Sequence, residues 1–221
     1  MWNKIKRIYI WDTQSRPVRW LPNTYQAVER IQSSGTQYID TGYILQTNPK
    51  IDISYSFIWG DSNMWIPIYW VRDDVIWTSS YCTMYVQSSS LYLTIWWAWF
   101  DPWTSSWVII TKNTRYNMVV DNWQMYIDGV YKSSLSTTNT YNPSQSRTLY
   151  VFANHNGDGS LQIRNNQMRL YDFKLYSNGV LQRDFIPCYR KSDSVIWLYD
   201  RVNNSFYTNS WTWTFTKWGN I

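Results

Sequence analysis

The chain has 221 residues and a formal net charge of +5, from 20 Lys and Arg against 15 Asp and Glu. Hydrophobic residues make up 44%, which is enough for a packed core and excludes a disordered chain as the default. The basic residues are scattered, with small clusters only at residues 4–7 and 190–191. Because nucleic-acid binders concentrate positive charge on one face, no nucleic-acid partner is expected.

Residues 1–12 contain basic side chains but no apolar run of signal-peptide length. No stretch of the chain reaches the 18 or so consecutive apolar residues that a membrane-spanning helix requires. The sequence therefore predicts a protein that is made in the cytoplasm, has no cleavable signal and has no membrane partner.

Short runs of alternating apolar and polar residues, rich in Tyr, Ile, Val, Thr and Phe, predict strands along the whole chain. In chain order these are residues 5–10, 26–32, 36–40, 51–58, 66–71, 82–86, 91–95, 107–111, 115–120, 124–128, 148–152, 168–176, 180–186, 195–199 and 205–207. Residues 12–24, which contain Pro17 and Pro22, predict a linker. The expected division is an N-terminal strand and linker, residues 1–24, followed by one domain, residues 25–221.

Two dipeptides predict tight hairpins: Asp128-Gly129 and Asn178-Gly179, each between strand-like runs. Residues 133–147, rich in Ser, Thr and Asn, predict one long surface loop. Many closely spaced strands with such turns predict an all-β fold, an antiparallel sandwich or barrel.

Tryptophan stands where turns need other residues. The chain has 17 Trp and only 8 Gly, so glycine is under 4% where about 7% is usual. Turn positions favour Gly, Asn, Asp, Ser or Pro for backbone reasons that tryptophan does not meet. Six tryptophans nevertheless occupy turn-like contexts, namely Trp11, Trp59, Trp103, Trp123, Trp211 and Trp213.

The metal and thiol candidates are few. Cys82 and Cys188 have no metal-like spacing and are expected to be small buried hydrophobes rather than a bridge. Asn154, Asn156 and Asp158 alternate oxygen-bearing side chains suited to calcium, but one carboxylate supplies little charge. A plain tight turn is the alternative reading of this loop. Its histidine, His155, is expected to be exposed, and no catalytic residue is assigned to it.

Enzymatic hydrolysis of glycans is disfavoured by the carboxylates. A glycosidase needs two carboxyl groups about 5–9.5 Å apart, and Glu29 is the only glutamate. Asp73 and Asp74 are adjacent in the sequence, and adjacent residues on a strand point to opposite faces. Asp121 and Asp128 are expected to be surface residues. The chain is predicted not to be an enzyme.

Two stretches resemble the LamG-like, concanavalin A-like lectin/glucanase jelly-roll domains of phage and prophage structural proteins. The first is residues 33–43, SSGTQYIDTGY, after the strand at 25–31. The second runs through RLYDFKLY at 169–176 and RDFIPC at 183–188 to LYDRVNNSFYTN at 198–209. Residues 6–18 also resemble the leader that precedes such domains. The resemblance covers most of residues 25–217.

The resemblance implies a β-sandwich jelly roll that binds host-surface glycans without catalysis, as a tail-fibre or decoration protein of a virion. Its implied partners are a glycan and, through the N-terminal segment, other virion proteins; an oligomer is compatible. A bacterial or prophage-encoded surface adhesin, a purely structural virion protein and a divergent glycosidase remain alternatives.

The chain departs from this family in a systematic way. Trp197, Trp211 and Trp213 stand where the family pattern has glycine. Our hypothesis is that these codons are UGA, translated here as Trp, in a gene from a lineage that reads UGA as Gly. The alternative is a truly tryptophan-rich protein whose rings are structural or bind sugars.

Overall fold

The structure, a computed structural model, describes residues 20–46, 49–60, 66–75, 78–87, 90–97, 105–121, 124–134, 147–156, 158–163 and 166–221. Within these ranges every regular element is a strand. In chain order they are β1 Tyr25–Gln32, β2 Ile39–Asp40, β3 Pro49–Gly60, β4 Ile66–Val75, β5 Thr78–Gln87, β6 Ser90–Trp97, β7 Ser105–Ile109, β8 Arg115–Asp121, β9 Gln124–Ile127, β10 Val130–Ser134, β11 Tyr150–Val151, β12 Ala153–His155, β13 Leu161–Ile163, β14 Asn166–Ser177, β15 Val180–Arg190, β16 Ile196–Asp200, β17 Ser205–Thr208 and β18 Thr216–Asn220.

The two predicted hairpin turns are confirmed. Asp128 and Gly129 join β9 to β10 with φ of 51° and 76°, and Asn178 and Gly179 join β14 to β15 with φ of 48° and 77°. Two successive residues with positive φ are the signature of the turn whose twist matches that of a hairpin. Asn and Asp tolerate this backbone region better than other non-glycine residues.

The larger sheet has the order β10-β9-β8-β3-β14-β1-β15-β16-β17, and β18 pairs with β1. Strand β1 lies between β14 and β15 where these two strands separate. Strands β14 and β15 pair directly where Phe173 faces Phe185, whereas further from their turn β1 pairs with both, with Ile31 opposite Leu170 and Ala27 opposite Cys188. The first strand is therefore held by segments more than 130 residues away in the chain.

The smaller sheet has the order β2-β11-β4-β5-β6-β7, and β12 and β13 form a separate two-stranded hairpin. All the pairings are antiparallel. The core lies between the two sheets: Tyr69 of β4 stacks on Phe173 of β14, with ring centroids 6.1 Å apart, and Phe173 stacks on Phe185 at 5.9 Å. The fold class is the predicted one, an all-β, antiparallel β-sandwich.

Cys82 and Cys188 are both free and buried, as predicted. Burial raises the pKa of both thiols, because the thiolate loses its hydration in an apolar surrounding. Neither cysteine therefore has the environment of a reactive thiol.

Some predicted elements are displaced. Trp59, expected in a turn, is part of β3, because that strand extends to Gly60 and pairs Trp59 with Gln167. Strand β18, which begins at Thr216, was not among the predicted strands, and residues 133–134 of the predicted loop belong to β10. The strand predicted at 5–10, the remainder of the long loop up to 146, and Trp11, Trp103 and Trp123 lie outside the described residues.

Candidate functional site

Three aromatic side chains from separate segments form a continuous array: Tyr38, Tyr150 and His155. Tyr38 precedes β2, Tyr150 begins β11 and His155 ends β12. In the β2–β11 pair, Ile39 and Val151 lie opposite each other and are fully buried, so the opposing pair Asp40 and Tyr150 lies on the outer face. Strand alternation thus places a carboxylate beside the array.

Tyr150 contacts both of the other rings of the array. The centroids of Tyr38 and Tyr150 are 4.8 Å apart with the planes tilted by 36°, and Tyr150 stacks on His155 at 4.0 Å and 11°. Nδ1 of His155 lies 2.7 Å from the carbonyl oxygen of Thr148. Because a carbonyl only accepts, Nδ1 donates this hydrogen bond, and Nε2 is the acceptor nitrogen of the neutral ring.

The phenol groups of the array stay protonated. Burial raises the pKa of Tyr38, the Asp40 carboxylate raises it further, and a hydrogen bond with Ser210 lowers it. Burial also raises the pKa of Tyr150 to about 12, with Asp40 acting in the same direction and Arg147 in the opposite one. At neutral pH the site therefore presents two phenolic O–H donors, one carboxylate and one guanidinium.

His155 corrects the sequence prediction. It was expected in an exposed loop, but it is only 7% exposed and lies in a strand. Tyr150 covers its face, and the Thr148 carbonyl fixes its orientation. The polar residues that follow it along the chain predicted a turn, and the turn begins only after His155.

The predicted calcium residues lie in the β12–β13 hairpin. Asn154 is buried in β12 and donates from Nδ2 to Gln162 Oε1 at 2.8 Å. Asn156 donates from Nδ2 to Ser160 Oγ at 3.1 Å, and Asp158 Oδ1 accepts from the Ser160 N–H at 2.8 Å. These bonds are those of a tight turn. Within the described ranges no group of three or more His, Cys, Asp or Glu side chains is placed to hold a metal.

Three of the carboxylates weighed for hydrolysis, those of Glu29, Asp121 and Asp128, have structural partners. Asp121 contacts Lys50 at 2.9 Å, and Glu29 contacts Arg30 at 2.9 Å. Asp128 accepts from the Asn117 N–H at 2.8 Å in its turn. Asp73 and Asp74 lie in β4.

A second polar cluster, which the sequence did not indicate, lies on the outer face of the larger sheet. Lys174 of β14 is opposite Asp52 of β3 on one side and Asp184 of β15 on the other. Burial raises the pKa of Asp52 and of Asp172; Lys174 opposes this for both, and Asp184 adds to it. Arg115 donates to Ser54 Oγ at 2.7 Å and lies 4.2 Å from the ring centroid of Tyr171, covering this face.

The raised pKa of Asp52 gives a pH-dependent prediction. The folded state binds its proton more tightly than the unfolded state, so the wild-type chain loses stability as the pH rises from below about 4 through the raised value. Asp52→Asn is expected to raise the free energy of unfolding at pH 7 and to leave it nearly unchanged at pH 3. Urea unfolding at both pH values measures this, and an Asn variant that is less stable at pH 7 contradicts it.

Searches find no matching family model, curated protein or solved structure for this chain. The described residues contain no helix long and apolar enough to cross a membrane. The array was not visible in the sequence because Tyr38 and Tyr150 are 112 positions apart, and the stretch 33–43, which contains Tyr38, gave no indication of its partner. The local signals were the alternations of residues 36–40 and 148–152, which predicted strands at Tyr38 and at Tyr150.

Proposed function

We propose that this chain is a non-catalytic binding or adhesion module of a phage virion, in a tail fibre or a head-decoration protein, that contacts host-surface glycans. The observation that carries the proposal is the array of Tyr38, Tyr150 and His155 beside Asp40. Its sequence resemblance to LamG-like domains of phage structural proteins supports the virion setting.

The chemistry of the array suits a sugar. Aromatic faces pack against the apolar C–H face of a sugar ring, while carboxylate, guanidinium and phenol groups bond its hydroxyls. Tyr38, Tyr150, Asp40 and Arg147 are all half-buried, so each is accessible yet held by its surroundings. A rigid, partly desolvated aromatic group with polar neighbours is the usual composition of a small-ligand site.

The array favours binding over hydrolysis. Among the described residues Asp40 is the carboxylate that acts on both tyrosines, and its Oδ1 accepts the Gly42 N–H at 2.9 Å. A glycosidase needs a second carboxyl group across the scissile bond. The proposal therefore assigns Asp40 to hydroxyl recognition rather than to proton transfer.

The test is binding of the purified chain to host cell-wall polysaccharide and to an array of defined glycans. Tyr38→Ala is expected to weaken binding about tenfold or more, which corresponds to about 1.4 kcal/mol. Tyr131→Ala is the matched control, because Tyr131 is an exposed tyrosine in β10 of the other sheet.

If Tyr38→Ala and Tyr131→Ala weaken glycan binding equally, the array is not the binding site. Absence of binding to every glycan, together with assembly of the chain into oligomers, would favour the purely structural virion protein. Release of reducing sugar by the wild-type chain would instead favour the glycosidase.

A further inference from the structure

The tryptophan side chains whose burial the structure describes lie outside the core. Side-chain burial is described for six of them, and five of these are exposed: Trp20 at 79%, Trp59 at 45%, Trp211 at 54%, Trp213 at 72% and Trp218 at 50%. The sixth, Trp197, is half-buried. Tryptophan is on average a highly buried residue, because its large apolar surface gains most from leaving water. The largest fully buried side chains are instead Tyr, Phe, Ile and Leu.

The backbone at Trp213 is that of a glycine. Its φ is +68°, a region that L-residues rarely adopt. Phe152 also has a positive φ, but its ring is buried and packs on Phe215 with centroids 5.5 Å apart. Packing can hold Phe152 in this conformation, whereas the exposed indole of Trp213 gains little from it.

The loop at residues 209–214 is held by main-chain groups. Nδ2 of Asn209 donates to the carbonyl oxygens of Trp211, Thr212 and Trp213, and Oδ1 of Asn209 accepts the Trp211 N–H at 3.2 Å. These bonds use the backbone of the two tryptophans and would form equally well with glycine. The indoles are therefore not what shapes the loop.

The same loop lies directly beside the proposed glycan site. The Ser210 N–H donates to the Tyr38 carbonyl oxygen at 3.0 Å, and the Tyr38 N–H donates to Asn209 Oδ1 at 3.2 Å. Whatever stands at positions 211 and 213 therefore borders the surface around Tyr38.

We infer that positions 211 and 213 are glycine in the chain as its own host makes it, and that the surface beside Tyr38 is built from tyrosine and main-chain groups rather than indoles. Exposure, the backbone angle at 213 and the backbone bonding of the loop carry the first part. The second part rests on the proposed function, whereas the first does not depend on it.

The identity of the residues is tested by tandem mass spectrometry of the protein from its native source. Trypsin releases residues 202–217 as one peptide, which contains both positions. The expected spectrum has glycine at 211 and 213, each lighter than tryptophan by the mass of the indole side chain. Tryptophan at either position overturns the inference.

The consequence for binding is tested with the chain as given and with its Trp211→Gly/Trp213→Gly variant on the same glycans. The variant is expected to bind at least as tightly, within about twofold, and to remain sensitive to Tyr38→Ala. A tenfold or greater loss in the double variant would make the indoles the sugar platform and overturn the second part. If neither protein binds glycan, the proposed function fails while the mass spectrum still decides the residues.

Discussion

Replacing Asp200 by alanine is expected to lower the free energy of unfolding by about 3–5 kcal/mol, the range for breaking one side of a buried ion pair. Asp200 is fully buried, and its Oδ2 lies 3.2 Å from Nε of Arg183. Its Oδ1 accepts the N–H groups of Asp184 at 3.0 Å and Val202 at 2.9 Å. The alanine variant loses all of these and leaves Arg183 charged, with its guanidinium 4.9 Å from the ring centroid of Tyr43.

Asp200→Asn separates the contribution of the ion pair with Arg183 from that of the two accepted backbone hydrogen bonds. Burial raises the pKa of Asp200 despite the bonds it accepts, so the ionised carboxylate is itself held at a cost. The asparagine amide oxygen can still accept the two backbone N–H groups, and its variant is expected to lose less stability than the alanine variant. Both are measured by urea unfolding with fluorescence and circular dichroism as coincident probes.

Asp193→Ala provides the control for Asp200. Asp193 pairs with Arg190 across a short turn, but both side chains are about 40% exposed. Exposed pairs contribute little, because water and salt screen them. The unfolding midpoint of Asp193→Ala should stay close to wild type. A comparable loss in Asp193→Ala and Asp200→Ala would show that burial of the Arg183–Asp200 pair is not what makes it important.

Trp213→Gly is expected to raise the free energy of unfolding by about 1–2 kcal/mol. A non-glycine residue held in the left-handed region costs about 1–3 kcal/mol. Glycine removes this cost, but its greater freedom in the unfolded chain lowers the stability of the folded state by roughly 0.5–1 kcal/mol. The exposed indole offers little packing to lose. Few point substitutions stabilise a protein by this amount, so the sign alone is informative.

Trp211→Gly is the matched control. Trp211 lies in the same loop and is also exposed, but Trp213 is the tryptophan with a positive φ among the described residues. Glycine at 211 relieves no strain and is expected to leave stability unchanged or slightly lower. If both variants stabilise the chain equally, the gain comes from removing exposed apolar surface and not from the backbone at 213.

The sequence predicted those features that short segments determine. Asp128-Gly129 and Asn178-Gly179 specified their hairpins, because a two-residue turn needs residues that tolerate positive φ at both positions. The long alternating segments 51–58 and 168–176 specified β3 and β14. Very short strands such as β12 and β13 were missed, since three residues carry no periodic signal.

The site depended on pairings that no short segment encodes. The residues around His155 predict a loop, and its burial depends on stacking with Tyr150. The contact between Tyr38 and Tyr150 forms only when β2 and β11 pair. The Arg183-Asp184 and Asp200-Arg201 dipeptides show the same limitation. Asp184 Oδ2 lies 2.7 Å from Nη2 of Arg201, so each acidic residue contacts the arginine of the other dipeptide. The sequence shows both dipeptides but not that they exchange partners.

The position of β1 between β14 and β15 also affects the order in which strands pair during synthesis. The partners of β1 are Leu170, Arg169, residues 188–190 and strand β18, so this first described strand has no sheet to join until nearly the whole chain has been translated. Closing so long a loop costs conformational entropy before the contacts of β1 can form and stabilise the sheet. The β14–β15 hairpin can form locally from its tight turn and then receive β1 between its separated ends. We expect insertion of β1 to be the late and slow step. Until then nascent chains have an open sheet edge, and they depend on dilution or chaperones to avoid pairing with one another.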